Sequence, residues 1–132
     1  MVDADALASI AFFSGLAPET RRAVAPHVQR IEVAAGTELT TQGRPGYLFF
    51  VIESGRVTVV QDDRLLRDLG PGDFFGEIAL LETGERTAFV RAQTPAKLIV
   101  LAQRDFERLL QADPAAAVAC DRAMRERWAA PA

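Results

Sequence analysis

The chain changes from a helical to an extended pattern near residue 28, and this change limits the folds that it can adopt. Apolar residues recur at helical spacing up to about Val24 and alternate with polar ones from Val28 onward. Turns marked by glycine or aspartate then interrupt the extended segments roughly every eight to twelve residues, as in β-sandwiches and β-rolls. The run 47–52 is apolar without alternation, which indicates a strand covered on both faces. We therefore predict a mainly β fold with flanking helices.

The secondary-structure pattern has helices at both ends of the β region. Extended segments are predicted at 28–34, 37–41, 47–52, 56–60, 65–69, 88–93 and 96–101. Helices are predicted at 5–13, from Pro18 towards Val24, at 105–110 and from Pro114 to about Trp128. Asp113 is suited to be the N-cap of the last helix, because Pro114 then takes its first position. The apolar stripe predicted for that helix consists of Ala117, Cys120, Met124 and Trp128.

Size and hydrophobicity predict a single domain. The chain has 132 residues, of which 49% are hydrophobic, enough to bury a core without covalent cross-links. We place the domain over 1–132, with N-terminal helices at 1–27, a β-roll at 28–101 and C-terminal helices at 103–128. We therefore expect no second domain within these residues.

Charge and cysteine content exclude several classes of protein. The net charge of −3 argues against a nucleic-acid surface, since duplex affinity depends on neutralising phosphates. The single Cys120 cannot form a disulfide framework and is expected to pack as a small apolar residue. The acidic start is unlike a signal peptide, and no apolar run reaches the roughly 18 residues of a membrane span. These features predict a cytoplasmic location, and the Ala-rich and Arg-rich composition with few lysines is typical of GC-rich bacterial genomes.

A second feature, the segment 74–88, combines a glycine, a carboxylate and an arginine. Gly76 permits close approach of the backbone, and the residues from Glu77 to Leu81 can form a short helix whose first N–H groups attract anions. Arg86 adds a planar cation that matches a phosphate, and Thr87 adds a hydroxyl. Because a carboxylate only accepts hydrogen bonds, Glu77 fits a donor such as a sugar hydroxyl. One ligand with a phosphate and a ribose would satisfy both charges. In the alternative interpretation, Glu77 and Arg86 pair with each other and bind nothing.

The two runs Phe75-Gly76-Glu77-Ile78-Ala79-Leu80 and Arg86-Thr87-Ala88-Phe89-Val90-Arg91-Ala92 resemble the phosphate-binding cassette of cyclic nucleotide-binding domains. We define residues 74–92 as the cassette. Leu39, Gly43, Gly46, the run 49–52 and Gly55 are also placed as in that family, so the resemblance covers nearly the whole chain. The family includes regulatory subunits of protein kinase A, cyclic-nucleotide-gated channels and catabolite-activator type regulators.

The resemblance implies a fold, a ligand and a set of binding residues. The fold is a double-stranded β-helix, or jelly roll, with an N-terminal helical bundle, a short phosphate-binding helix and a C-terminal lid helix. The ligand is a cyclic nucleotide, with cAMP favoured over cGMP, and no cofactor, metal or catalytic residue is implied. Glu77 takes the ribose 2′-hydroxyl and Arg86 the phosphate. The remaining contacts come from Phe75, Gly76, Ile78, Ala79 and Thr87.

The sequence departs from the family pattern at three positions. Glu85 stands where proline is common, Phe89 where serine or threonine is common, and Arg44 where an acidic or amide residue is usual. Thr87 is ambiguous for the choice of base, because a hydroxyl after the arginine occurs in cGMP binders and also in bacterial cAMP binders. These departures leave Glu77 and Arg86 untouched.

The helix 114–128 would close on the bound ligand as a lid. Arg127 or Trp128 lies near the position of the residue that stacks on the base in the family, and stacking of this kind contributes about 1–3 kcal/mol. In the alternative interpretation, Trp128 only packs the helix against the roll.

Two other functions were weighed against a cyclic-nucleotide sensor. A metal-dependent enzyme on a similar roll, as in cupins, typically needs two or more histidines with a carboxylate, and His27 is the only histidine. A domain of this fold that has lost its ligand would serve as a docking surface. The sequence leaves the effector domain or partner protein unidentified, and also whether the domain stands alone or was excised from a channel, enzyme or regulator.

Overall fold

The computed structural model shows two antiparallel sheets packed face to face and flanked by helices from both ends of the chain. The structure describes residues 2–77, 80–81 and 84–129, and only the backbone of residues 127–129. Within these residues each sheet has four strands. The architecture is the predicted jelly roll with N-terminal and C-terminal helices.

The secondary-structure elements follow the predicted order with two differences: the first helix is divided into two, and a short strand at Phe74–Phe75 was not predicted. The helices are α1 (Ala4–Ala8), α2 (Ala11–Ser14), α3 (Pro18–Val24), α4 (Gln103–Ala112) and α5 (Pro114–Ala129), with a 3-10 turn at Ala25–His27. The strands are β1 (Gln29–Val33), β2 (Glu38–Thr40), β3 (Leu48–Ser54), β4 (Val57–Gln61), β5 (Arg64–Leu69), β6 (Phe74–Phe75), β7 (Phe89–Ala92) and β8 (Ala96–Ala102). The sheets run in the orders β1-β8-β3-β6 and β2-β7-β4-β5.

Strand β3 explains why the run 47–52 is apolar throughout. Successive side chains of a strand point to opposite faces, and β3 separates two cores. Phe49 and Val51 join the core beneath the helices, which we call the helix-side core, whereas Phe50 and Ile52 join the core between the sheets. These four side chains are at most 4% exposed. Tyr47, before the strand, and Leu48, its first residue, depart from the prediction, because they are 65% and 40% exposed.

Aromatic rings connect the helices at the two ends of the chain through β3. Phe49 stacks on Phe106 of α4 with 4.3 Å between ring centroids, and it also lies 5.4 Å from Phe12 of α2. Phe12 in turn contacts Phe13 and Phe74 edge-on. Phe12 and Phe13 therefore serve packing, and the cluster fixes both helical ends on one face of the roll.

The prediction of one helix over 5–13 is wrong, because the segment forms α1 and α2 with a break at Ser9 and Ile10. Both the Ser9 hydroxyl and its backbone N–H donate to the Ala6 carbonyl, which ends α1. Serine competes in this way with the helical ladder. Ile10 is 4% exposed and joins the helix-side core.

The stripe predicted on α5 is shifted at its start. Ala116 is fully buried and Ala117 is exposed, whereas Cys120 is buried as expected. The segment from Ala115 to Ala117 is all alanine, so size and hydrophobicity do not distinguish which position faces the core. The side chain of Trp128, the last member of the predicted stripe, lies outside the described residues. No helix within the described part of the chain is long and apolar enough to cross a membrane.

Asp113 binds two helix starts with one carboxylate. One oxygen accepts from the Ala115 N–H in the first turn of α5 at 3.0 Å, which confirms the predicted cap. The other accepts from the N–H of Ala17, the residue before α3, also at 3.0 Å. The Ala17 N–H lowers the pKa of Asp113 most, and the Thr20 hydroxyl and the Ala115 N–H lower it further, against the opposing effect of burial. The folded carboxyl group is therefore more acidic than the unfolded one.

We predict that Asp113→Asn destabilises the domain by about 1–2 kcal/mol at pH 7, because an amide offers one acceptor oxygen where two helix starts need acceptors. Asp3→Asn is the matched control, since exposed Asp3 caps α1 through a single bond to the Ala6 N–H, and asparagine caps about as well as aspartate. Urea denaturation of the two variants and the wild type measures both differences, and equal losses would contradict the double role.

The difference between Asp113→Asn and the wild type should depend on pH. Because the folded pKa of Asp113 is lowered, its contribution is complete above the unfolded pKa of about 4 and is lost as the pH falls through the folded value. We therefore expect the gap in unfolding free energy to shrink below about pH 4. A gap that stays constant from neutral to strongly acidic pH would argue against an ionised Asp113 as the acceptor.

Candidate ligand-binding site

The sheets bring the glycine, the carboxylate and the arginine of the cassette to the start of β3. Strand β6 pairs with β3 through Phe75 opposite Phe50, so Gly76 emerges beside the first residues of β3. Glu77 follows in a helical conformation, and the chain is helical again at Leu80 and Leu81. Arg86 lies just before β7, a strand of the other sheet. The site is therefore built where the two sheets meet.

The Arg86 guanidinium lies inward and is held by backbone carbonyls. Nη2 donates to the Leu48 carbonyl at 2.8 Å, and Nη1 donates to the Gly76 carbonyl at 3.3 Å. Its carbon lies 5.8 Å from the centroid of the Phe50 ring, a cation–π contact. Arg86 is only 8% exposed. The guanidinium therefore faces the interior of the fold and not the solvent.

Both the backbone conformation and the close neighbours of residue 76 require glycine. Its φ is +98°, in the region that favours glycine. A Cβ at this position would lie 2.7 Å from the Leu48 carbonyl oxygen and 2.8 Å from Nη1 of Arg86. The glycine predicted to allow close backbone approach thus admits the arginine itself.

Glu77 is fully buried and acts on Arg86 through its charge. Burial lowers the pKa of Arg86, and the negative charge of Glu77 raises it. Each charge therefore offsets part of the cost of burying the other. This charge interaction is compatible with the interpretation that the two residues pair with each other, and their burial together is also what a ligand with a phosphate and a sugar would require.

The other predicted site residues have different positions. The Phe75 ring is 3% exposed and stacks on Phe50 at 4.7 Å, so it supports the ring that contacts Arg86. Thr87 is partly exposed beside Arg86, and Glu85 is exposed.

Ile78 and Ala79 lie outside the described residues, as do the side chains of the predicted lid residues Arg127 and Trp128. The ligand contacts of all these residues stay predictions.

Sequence reasoning missed three groups that hold Arg86. The Leu48 carbonyl and the Phe50 ring contact its side chain, and the turn at Gly43 and Arg44 binds its backbone. The Arg44 carbonyl accepts the Arg86 N–H at 2.7 Å, a contact that does not depend on the side chain at residue 44. The glycines at 43 and 46 were the available signal for a turn that approaches another backbone closely. Among the described residues, no group of three or more His, Cys, Asp or Glu side chains could hold a metal ion.

We predict that Gly76→Ala destabilises the domain by about 1–3 kcal/mol more than Gly84→Ala, because only the first methyl group collides with fixed neighbours. Gly84 also has a positive φ, +71°, but a Cβ there would meet nothing within 4 Å. Both variants share the backbone penalty, so the difference in denaturation midpoint isolates the collision with Leu48 and Arg86. Similar midpoints would show that the guanidinium does not occupy the described position.

Comparison with known proteins agrees with this geometry. Residues 30–113 match the family described as "Cyclic nucleotide-binding domain". The cAMP-dependent protein kinase regulatory subunit of Neurospora crassa is 34% identical over 106 residues, which cover 79% of this chain and 28% of that protein. The chain thus spans little more than a quarter of the length of this curated relative. The curated relatives that match well include other fungal regulatory subunits, and they do not support the expectation of a bacterial source.

Two solved structures show the same fold. A structure described as Sp-2Cl-cAMPS bound to PKAR CBD2 has a TM-score of 0.81 and 25% identity, and the match covers 93% of this chain and 83% of that one. The regulatory subunit of a cAMP-independent protein kinase A from Trypanosoma brucei has a TM-score of 0.84 and 26% identity, covering 95% of this chain and 46% of that one. With the family match spanning most of the roll, the chain belongs to the cyclic nucleotide-binding domain family.

Proposed function

We propose that this domain binds a cyclic nucleotide, cAMP in preference to cGMP, as a regulatory sensor. Arg86 and the N–H groups at Gly76-Ala79 would hold the phosphate, and Glu77 would hold the ribose 2′-hydroxyl. The observation that carries the proposal is the buried Arg86 guanidinium, which is bound by neutral carbonyls and lies near a fully buried carboxylate.

A phosphate is a stronger acceptor for Arg86 than the groups that hold it now. Hydrogen bonds between two charged partners are roughly twice as strong as neutral ones, and the Leu48 and Gly76 carbonyls are neutral. A guanidinium has five N–H donors, more than these two bonds use. A phosphate can therefore bind without first releasing every contact that orients the side chain.

Glu77 supplies the complementary half of the recognition. A buried carboxylate next to an incoming phosphate is repelled unless it accepts a hydrogen bond from the same ligand. The 2′-hydroxyl of a ribose provides that donor, and a cyclic phosphate has no donor that could replace it at neutral pH. The pair Glu77 and Arg86 thus favours a ligand with a ribose over a bare phosphate.

The proposed preference for cAMP is supported by the curated relatives. The curated fungal relatives are regulatory subunits of cAMP-dependent protein kinases. Thr87 adds a partly exposed hydroxyl beside Arg86, which suits either base. We place the domain in the cytoplasm, and its effector domain or partner protein is not identified by the part of these relatives that the chain matches.

Residues 114–128 of helix α5 would act as the lid that closes on the ligand. Leu80 of the cassette packs against the helix-side core, which also contains Ala116 and Cys120 of α5. An open groove of about 540 Å³ lies between α2 and the first half of α5. The cassette and α5 therefore share a core, while one flank of α5 has room to move. Arg127 and Trp128, near the end of the lid, are the candidates for contact with the base.

The alternative function is a docking domain of the same fold without a ligand. It is retained because the Trypanosoma brucei neighbour belongs to a kinase described as cAMP-independent. The two functions differ in a direct way, since a docking domain would show no thermal shift with cAMP or cGMP at millimolar concentration.

We predict that Arg86→Leu abolishes saturable cAMP binding in isothermal titration calorimetry. Removal of one partner from a desolvated charge pair costs about 3–5 kcal/mol, or about 100- to 4,000-fold in affinity. Arg91→Leu is the matched control, because Arg91 also lies over a ring, 5.6 Å from the centroid of Phe89. Unlike Arg86, its side chain is 56% exposed and pairs with Glu38 of β2.

The control should bind cAMP with wild-type affinity, and the wild type should bind cAMP more tightly than cGMP. Near-normal binding by a folded Arg86→Leu protein would contradict the phosphate assignment. Absence of binding by the wild type would instead favour the docking function.

We predict that Glu77→Gln reduces the preference of the domain for cAMP over 2′-deoxy-cAMP. For the wild type, 2′-deoxy-cAMP should bind about 10- to 100-fold more weakly than cAMP, as expected for loss of a hydrogen bond to a charged group. In Glu77→Gln the ratio should fall to about 2- to 10-fold, because the hydrogen bond is then neutral. The Arg91→Leu protein should keep the wild-type ratio. An unchanged ratio in Glu77→Gln would place the ribose away from residue 77.

A further inference from the structure

The turn 42–46 binds the backbone of Arg86 on both sides. The Arg86 N–H donates to the Arg44 carbonyl at 2.7 Å, and the Gly43 N–H donates to the Arg86 carbonyl at 2.8 Å. One step further along, the Gly46 N–H donates to the Gly84 carbonyl at 3.1 Å, and Pro45 pairs with Glu85 as an isolated bridge. Arg86 is therefore paired with the turn as if the two segments were adjacent strands.

The shape of the turn depends on Gly43. Its φ of +85° lies in the region that favours glycine, and its N–H is the donor to Arg86. The Arg44 N–H closes the turn by donating to the Thr41 carbonyl at 3.1 Å. A change at Gly43 would therefore shift the backbone of Arg86 without touching its guanidinium.

The turn is also tied to the hairpin between β4 and β5. The Gln42 side-chain amide donates to the Asp62 carboxylate at 2.7 Å and accepts from the Asp62 N–H at 3.0 Å. Asp62 has a φ of +52° at the tip of that hairpin. The far side of the turn is thus fixed by two hydrogen bonds, so its near side forms a firm support for Arg86.

We propose that the turn 42–46, anchored on Asp62, is a positioning element that sets the Arg86 guanidinium for the phosphate. The inference rests on the proposed cyclic-nucleotide function. The contacts with Leu48 and Gly76 fix the distal end of the side chain, and the turn fixes its origin. Paired hydrogen bonds from a planar guanidinium to a phosphate require both ends to be correctly placed.

The test compares Gly43→Ala with Gly36→Ala, a matched pair of glycines. Gly36 has a φ of +88°, its Cβ would also meet nothing within 4 Å, and its N–H donates to the Ala92 carbonyl at 2.7 Å. Both substitutions should lower the denaturation midpoint by similar amounts. Gly43→Ala should weaken cAMP binding by about 3- to 30-fold, while Gly36→Ala should change it less than about twofold, within the scatter of independent sites.

A double-mutant cycle tests whether the effect passes through Arg86. In an Arg86→Lys background, which replaces the planar fork with a point charge, Gly43→Ala should alter cAMP affinity by no more than about twofold. Equal losses in Gly43→Ala and Gly36→Ala, or full additivity with Arg86→Lys, would overturn the inference. Failure of the wild type to bind cAMP would overturn the proposed function as well.

A second variant avoids backbone strain if Gly43→Ala does not fold. Gln42→Ala releases the two bonds to Asp62 and should weaken cAMP binding in the same direction by a smaller factor. Thr41→Ala is its control, because the Thr41 hydroxyl bonds to Glu38 and does not reach the hairpin. Wild-type affinity in Gln42→Ala would show that the anchor on Asp62 does not influence Arg86.

Discussion

The buried guanidinium of Arg86 is the interaction on which the arrangement of the site depends. Its side chain joins the start of β3 to the end of β6 through two carbonyls, and its backbone joins the turn 42–46. A buried cation is stable only when such acceptors and a nearby negative charge compensate for lost hydration. The fold therefore holds these segments together around Arg86, so that the proposed phosphate site is largely preorganised.

The two cores give this preorganisation its rigidity. Phe50 contacts Arg86 from within the core between the sheets, and Phe75 stacks behind it. On the opposite face of the same strand, Phe49 packs against Phe106 of α4 and Phe12 of α2. Because β3 separates the two cores, a displacement of this strand would change the packing at the proposed phosphate site and in the helix-side core at the same time.

Much of the fold was predictable because its patterns are strong. The alternation of β1, the apolar run of β3 and the cap at Asp113 each depend on local chemistry that the sequence displays. The roles of Glu77 and Arg86 rested on residue types at fixed spacing. The misses have physical causes, since the Leu48 and Arg44 carbonyls carry no side-chain signal, and the repeated alanines of α5 leave its buried face undefined. The break at Ser9 arose from a side chain that competed with the helix.

The carboxylate of Asp113 has a consequence for any movement of α5. It joins the first turn of α5 to the start of α3, two elements that are almost a hundred positions apart in sequence. A rotation that moved the carboxylate away from one of these N–H groups would leave that group without its acceptor, so breaking only one of the two hydrogen bonds is costly. One carboxylate thus holds the start of α3 beside the first turn of α5, so a movement of either helix start must break one of these hydrogen bonds or move both helix starts together.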